Sequence, residues 1–340
     1  MFVLENVPLT AYSTMRLGGT AAYVAEAIKR QDVSEAVAWA DERGLPIIII
    51  GEGSNLIWDD DGYPGLVLVN KIPGIEITGE FEKTKYLTAG GGVNWDSFVE
   101  HTVSLGLTGI EYLSLVPGTV GATPIQNVGA YGAEVSATIA TLEAYDTVEK
   151  KYLNLRGSEC GFSYRSSRFK TNDKGRFLIT AVTFLLQQDT PKPPFYAALQ
   201  TYLTEKNIIE ITPQTIRDAV IAIRSSKLPD PKFIPNTGSF FANPIIPYAV
   251  FSGLQLQYDS LPHWNVEGGV KISAAWLIEQ AGFKDFHDAE TGMATWSKQP
   301  LVLVNERAET TAQLKAFKQK IVTAVQEKFG ITLVQEPELV

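Results

Sequence analysis

Cysteine is nearly missing from this 340-residue chain. Cys160 stands alone, which excludes an internal disulfide and a multi-cysteine metal site and points to a reducing compartment. Histidine is almost as scarce: His101, His263 and His287 follow no ligand spacing, so neither a zinc centre nor a Ser-His-Asp triad has support. No apolar run approaches membrane-spanning length; Ile47-Ile48-Ile49-Ile50 is typical of the longest. The opening residues Met1-Phe2-Val3-Leu4-Glu5 carry neither the basic nor the apolar part of a secretory signal, so a cytoplasmic protein is expected. Positive charge is in deficit, 29 lysines and arginines against 38 acidic residues, which argues against the broad basic face that nucleic-acid binding needs. Repeats, low-complexity tracts, long linkers and a G-x-x-x-x-G-K-[ST] phosphate loop are missing as well.

What remains is an ordinary globular composition on a chain long enough for two or three domains. Val33, Val37 and Ala40 fall at helical spacing and Gly44 ends that helix; the four isoleucines after Pro46 read as a buried strand. Tyr86 to Ala89, Ala140 to Thr147, Phe177 to Leu186 and Leu301 to Val304 read as further strands. Asn94 caps a helix carrying Trp95, Phe98, Val99 and Val103, closed by Gly106. Thr212-Pro213 opens another through Ile216, Val220 and Ile223. Helices are also expected over Ile272 to Ala281 and over Thr311 to Phe329, the last with Leu314, Phe317, Ile321, Val325 and Phe329 on one face and Gly330 as its stop. The class is α+β.

Two glycine-rich stretches carry the first chemical signal. Gly51-Glu52-Gly53-Ser54-Asn55-Leu56 follows the isoleucine strand and starts like a dinucleotide fingerprint without its third glycine. Such a turn presents backbone N–H groups that hold pyrophosphate oxygens, although a tight structural turn explains it equally well. Val116-Pro117-Gly118-Thr119-Val120-Gly121-Ala122-Thr123-Pro124-Ile125-Gln126-Asn127-Val128-Gly129-Ala130-Tyr131-Gly132 reads as a long loop without secondary structure, which in a compact protein is usually functional. Its Gln126 and Asn127 suit a flat heterocycle with alternating donors and acceptors, such as a flavin.

Two polar clusters carry the second signal. Ser163-Tyr164-Arg165-Ser166-Ser167-Arg168-Phe169-Lys170 and Asn236-Thr237-Gly238-Ser239-Phe240-Phe241-Ala242-Asn243-Pro244 each set small hydroxyls beside aromatics, and in the second the two phenylalanines are expected to exclude water from Ser239. Basic residues gather at Arg165, Arg168 and Lys170, and again at Arg224, Lys227 and Lys232, although most such residues are simply solvated.

Taken in order, Ser13-Thr14-Met15-Arg16-Leu17-Gly18-Gly19, Gly51 to Leu56, Pro117 to Gly132, Tyr164 to Phe169, Lys227-Leu228-Pro229-Asp230-Pro231 and Gly238 to Pro244 make the chain resemble the UDP-N-acetylenolpyruvoylglucosamine reductases over nearly its whole length. The form with an extra tyrosine loop is the nearest, because Pro193-Pro194-Phe195-Tyr196 sits where that loop lies. The resemblance implies a two-part FAD-binding unit of the vanillyl-alcohol-oxidase type, residues 1–69 and 70–210, and an α+β substrate-binding domain, 211–329, with 330–340 returning to the FAD unit. It implies FAD and NADPH as cofactors, UDP-N-acetylglucosamine-enolpyruvate as substrate, and a monomer with no membrane or nucleic-acid partner. Hydride passes from NADPH to FAD and then to the enolpyruvyl methylene.

The same resemblance assigns roles. Ser239 is the proton donor, Arg165 holds the substrate carboxylate, and a C-terminal glutamate is third. Counting without gaps from Gly330 gives Glu336; a two-residue insertion would give Glu338. FAD is implied to meet Arg16, Gly51, Gly53, Ser54, Asn55, Leu56, Pro117, Gly118, Gly121, Ile125, Gln126, Asn127, Gly129, Ala130 and Tyr131. Tyr164, Tyr196, Lys227, Asn243, Trp264 and Gln299 are implied for the substrate, with Lys227 on the diphosphate. Two positions depart from the family pattern: Ala242 stands where lysine is common in Phe-Phe-x-Asn-Pro, and Trp264 where tyrosine is frequent. A flavin oxidase of the same fold and a catalytically inactive sugar-nucleotide-binding protein are the competing readings.

Overall fold

The computed structural model describes residues 1–340. By compactness the chain forms two units: the first is residues 1–7, 21–52 and 63–226, the second 8–20, 53–62 and 227–340.

The first unit holds two sheets. One has four strands in the order Val3–Pro8, Thr20–Ala27, Tyr63–Asn70, Ile47–Ile50. The last three run parallel. Helix Arg30–Asp41 covers it, burying Val33, Ala36, Val37 and Ala40 on Leu66 and Leu68, as their 3.6-residue spacing requires. The helix starts where Asp32 accepts hydrogen bonds from the N–H groups of Ile28 and Lys29. Gly44, at φ +63°, ends its trailing turn.

The second sheet is antiparallel, in the order Lys151–Arg156, Ile139–Asp146, Phe177–Gln187, Thr84–Gly90, Ile75–Phe81. Its three inner strands are the expected ones. The outer two differ from expectation because neither has a buried position or an apolar run. Helix Trp95–Ser104 packs Trp95 and Phe98 on Phe184 from the sheet. Asn94 caps this helix by accepting from Ser97 N–H at 3.0 Å. Helices Ala197–Glu205 and Pro213–Lys227 form a satellite core of Leu199, Leu203, Ile216, Val220 and Ile223. That packing keeps residues 211–226 in the first unit, so the compact boundary falls later than position 210.

Asp146 ends a central strand. Its buried carboxylate takes a forked pair of hydrogen bonds from Arg176, 3.1 and 2.7 Å, and two more from the N–H groups of Val148 and Glu149. The Arg176 bond holds its pKa down at about 2, against burial, which raises it. The folded value lies below the unfolded one, so the stabilisation is full above pH ~4 and fades as pH falls toward 2, on the order of 1–2 kcal/mol. Asp146→Asn is therefore expected to lower the thermal midpoint at pH 7, with a deficit that shrinks as pH falls toward 2; a deficit independent of pH in calorimetry would reject the assignment.

In the second unit, one sheet orders Asn236–Ser239, Gln299–Asn305, Met293–Trp296 and His287–Asp288; another orders Ile245–Ile246, Gly269–Ile272 and His263–Val266. Helix Thr311–Phe329 lies as expected, with a Thr310/Gln313 capping box and Gly330 at φ +69°. Asp60 seats on its first turn, accepting from Thr311 N–H at 2.6 Å and Ala312 N–H at 2.8 Å, where the helix dipole favours a carboxylate. The helix expected over Ile272 to Ala281 begins only at Ala274. Gly269–Ile272 is a strand, because Ser273 caps the helix through Trp276 N–H and ends the extended segment before it.

The C-terminal segment is pinned. Glu338–Leu339 pairs in parallel with Leu56–Ile57, so residues 330–340 join the second unit alongside 53–62.

Candidate functional site

In the first unit, Gly51 sits at the carboxyl end of the parallel strand Ile47–Ile50, where open α/β sheets take ligands. It lies against the second glycine stretch: a β-carbon added to Gly51 would fall 2.4 Å from Thr119 Oγ1. That hydroxyl is shut off from solvent and has no hydrogen-bond partner. Gly118 adopts φ +121°, open in practice only to glycine. Gly121 donates to Gly91 O at 2.9 Å, and a β-carbon on it would press to 3.0 Å from Gly91.

Residues 117–132 are not the structureless loop expected. They contain a short 3-10 helix, Val120–Ala122, and the strand Gly129–Ala130, which pairs with Ala133–Glu134. The stretch is too glycine-rich to show either in its pattern. Ser167, buried, donates to Ile125 O at 2.6 Å and so ties this stretch to the Tyr164–Phe169 cluster.

Gln126 reaches Lys170, Nζ to Oε1 3.4 Å. Asn127 is fully buried, and its carboxamide is engaged inside the protein: Nδ2 donates to Glu134 Oε2 and Ser163 O, and Oδ1 accepts from Ser136 N–H. Its side chain therefore braces the loop instead of reading a heterocycle.

Arg165 sits in a tight turn closed by Ser163 and Ser166, at φ +54°, a strained value for a side-chain-bearing residue and one that clusters at functional sites. Its Nη2 donates to Gly129 O at 2.8 Å, and its guanidinium carbon lies 5.3 Å from the Tyr164 ring centroid. Arg168, three residues on, is structural, held by Asp173 at 2.6 Å and by Glu159 O.

Tyr196 stands exposed at the start of helix Ala197–Glu205, edge-on to Tyr131 with centroids 5.8 Å apart. Burial raises the Tyr131 hydroxyl pKa, and Arg224 opposes that rise. Arg224 itself is desolvated enough to lower its pKa, against the pull of Tyr131 and Asp96. Its Nε is buried without an acceptor, while Asp96 pairs with Arg217 instead, at 2.6 and 3.0 Å. A buried guanidinium N–H without an acceptor is a ready donor to an anion. In sequence Arg224 is only one of several basic residues; its one distinguishing signal is its place one helical turn before Lys227. Cys160 is buried and inert, its thiol pushed up to about 11 by burial.

In the second unit, Gly53 is irreplaceable on steric grounds: at φ +68°, a β-carbon would fall 2.0 Å from Tyr12 O. The turn then leads through Ser54 and Asn55 into Leu56–Ile57. Arg16 directs its Nη2 at the carbonyls of Lys232 (2.6 Å) and Pro231 (3.1 Å), bracing the Lys-Leu-Pro-Asp-Pro segment.

Ser239 ends strand Asn236–Ser239 with its side chain exposed, after Gly238 at φ +71°. Phe240 and Phe241 do not shield it as expected. Both rings turn into the core, 5.2 Å apart by centroid, and anchor the segment from below. Glu336 N–H donates to Phe240 O at 2.9 Å, while Glu338 N–H donates to Asn55 O at 2.9 Å. The two glutamates that sequence leaves as alternatives thus attach to different segments, Glu336 beside the serine and Glu338 beside the glycine turn. Lys227 is exposed at the end of its helix, its carbonyl taking Trp296 Nε1–H at 3.0 Å. Asn243 Oδ1 accepts from Ala274 N–H at 3.0 Å. Gln299 opens the strand after the Trp296 turn. Trp264 is exposed, with Lys271 paired across the strand and its Nζ 5.9 Å from the indole centroid.

Residues 21–150 match the model of an FAD binding domain, and residues 230–340 that of the UDP-N-acetylenolpyruvoylglucosamine reductase C-terminal domain. The chain is 39% identical over 339 residues to the UDP-N-acetylenolpyruvoylglucosamine reductase of Ralstonia nicotianae, covering 98% of each. It is 38% identical over 336 residues to that of Alcanivorax borkumensis, covering 99% of this chain and 96% of the other. The crystal structure of the Thermus caldophilus reductase shares the fold, with a TM-score of 0.69 at 20% identity over 99% of both chains. FAD fits the residues present: a glycine turn at a parallel strand's carboxyl end, a second glycine loop against it, and an orphaned hydroxyl, Thr119, buried at their junction.

Proposed function

The chain belongs to the UDP-N-acetylenolpyruvoylglucosamine reductase family, and from that membership we propose that it uses NADPH to reduce UDP-N-acetylglucosamine-enolpyruvate to UDP-N-acetylmuramate, a step in peptidoglycan precursor synthesis. FAD held by the glycine turn at Gly51 and the stretch from Pro117 would supply the hydride chemistry, with NADPH as the reductant. What remains for the protein is to hold an anionic substrate, to stabilise charge building on its carboxylate, and to deliver one proton to the neighbouring carbon.

Arg165 takes the carboxylate. Its planar fork matches two oxygens, and the bond to Gly129 O fixes its plane in advance. Ser239 delivers the proton; an alcohol is a weak acid, so this works only while the carboxylate charge is held. Glu336, hydrogen-bonded through its backbone one residue on from Ser239, is the third member. Lys227 meets the diphosphate, with Arg224 as a second cation one helical turn earlier. Tyr196 covers the sugar nucleotide, Asn243 and Gln299 bond it, and Trp264 stacks on its base. A monomer acting in the cytoplasm completes the reading; no helix is long and apolar enough to cross a membrane.

The observation that carries this proposal is 39% identity to a UDP-N-acetylenolpyruvoylglucosamine reductase over 339 residues, covering 98% of both chains. The purified protein is expected to be yellow, to bleach with NADPH in the absence of oxygen, and to regain colour on adding UDP-N-acetylglucosamine-enolpyruvate. Bleaching that only oxygen reverses would make it an oxidase; a colourless protein that binds the nucleotide would make it a sensor.

A further inference from the structure

We propose that Glu52 is a positioning residue for the flavin dinucleotide, joining the two glycine stretches through a single carboxylate; the inference rests on FAD lying along those stretches. Glu52 Oε1 accepts from Asn94 Nδ2 at 2.7 Å, and Oε2 accepts from Gly118 N–H at 3.1 Å. Asn94 is itself oriented, because its Oδ1 takes Ser97 N–H at 3.0 Å as the cap of helix Trp95–Ser104. Gly118 O accepts from Trp95 N–H at 2.9 Å. The carboxylate therefore ties the turn after strand Ile47–Ile50 to the helix cap and to the start of the Pro117–Gly132 stretch. It fixes Gly118 at its unusual φ of +121° and Thr119 over Gly51. All of these residues belong to the first unit.

Glu52 is exposed and forms no ion pair, so neither core packing nor charge balance accounts for it. Its charge is adverse where a diphosphate is to be held. A purely electrostatic effect and a positioning effect therefore differ in sign. Removing the charge tightens FAD in the first case and weakens it in the second. Glutamine tests this because it keeps the shape but offers one acceptor only, and its amide N–H₂ then faces the N–H of either Asn94 or Gly118.

The experiment titrates apoprotein with FAD and separately with riboflavin, which lacks both phosphates, following flavin fluorescence. Glu52→Gln and Glu52→Ala are expected to raise the Kd for FAD by about 10–100-fold while moving riboflavin less than about threefold and the apoprotein melting midpoint by less than about 2 °C. Unchanged or tighter FAD binding overturns the inference, as does an equal loss for both ligands, which would mean general loosening. Parent protein that takes up no FAD would overturn the flavin reading and this inference together; normal uptake by the parent with unaffected variants overturns this inference alone.

Discussion

Ser239→Ala protein is expected to bleach with NADPH at close to the parental rate and then to stay bleached when UDP-N-acetylglucosamine-enolpyruvate is added. The substitution removes one hydroxyl from an exposed strand end whose neighbours, Phe240 and Phe241, are held in the core independently of it. The fold and the first half-reaction have no need of that oxygen. The proposed second half-reaction needs a proton at carbon, and the Ser239 hydroxyl is the group assigned to supply it. A loss of at least about a thousandfold in substrate-driven colour return, ~4 kcal/mol or more, is expected in anaerobic stopped-flow. A comparable loss in both halves would reject the proton-donor role.

Arg165→Lys is expected to cost about a hundred- to a thousandfold in the same step, ~3–4 kcal/mol, although it keeps the positive charge. Lysine cannot reproduce a guanidinium that donates to Gly129 O while presenting its remaining N–H groups in one plane. The positive φ of residue 165 is unchanged by the swap, so thermal stability should stay within a few degrees. Reoxidation by substrate within about threefold of the parent would show that charge alone suffices there.

How far the sequence could be read depended on what each segment needed in order to fold. Helix Thr311–Phe329 and strand Ile47–Ile50 declared themselves because burial imposes a period or an unbroken apolar run. Strands Ile75–Phe81 and Lys151–Arg156 hid, since an outer strand needs only its backbone to pair. Helix Tyr248–Gln255 hid for a different reason, its apolar residues being largely exposed. At the candidate site, residue types were legible and directions were not. Nothing in Gln126-Asn127 distinguishes an outward amide from one locked among Glu134, Ser163 and Ser136. Likewise Phe240 and Phe241 read as a lid until their rings are seen in the core. Arg224 stands out only when its orphaned Nε is visible, because Asp96 sits 121 positions away from the arginine that takes it.

The alternation of segments between the two units, 1–7, 8–20, 21–52, 53–62, 63–226 and 227–340, makes this gene indivisible in practice. A fragment starting at 227 would carry a long helix stripped of the aspartate that seats on its first turn, and a terminal strand with nothing to pair against. Cloning either half alone therefore promises a sticky, incomplete product. Recombination between distant relatives must exchange several separated stretches at once or none, so the architecture is passed on as one block.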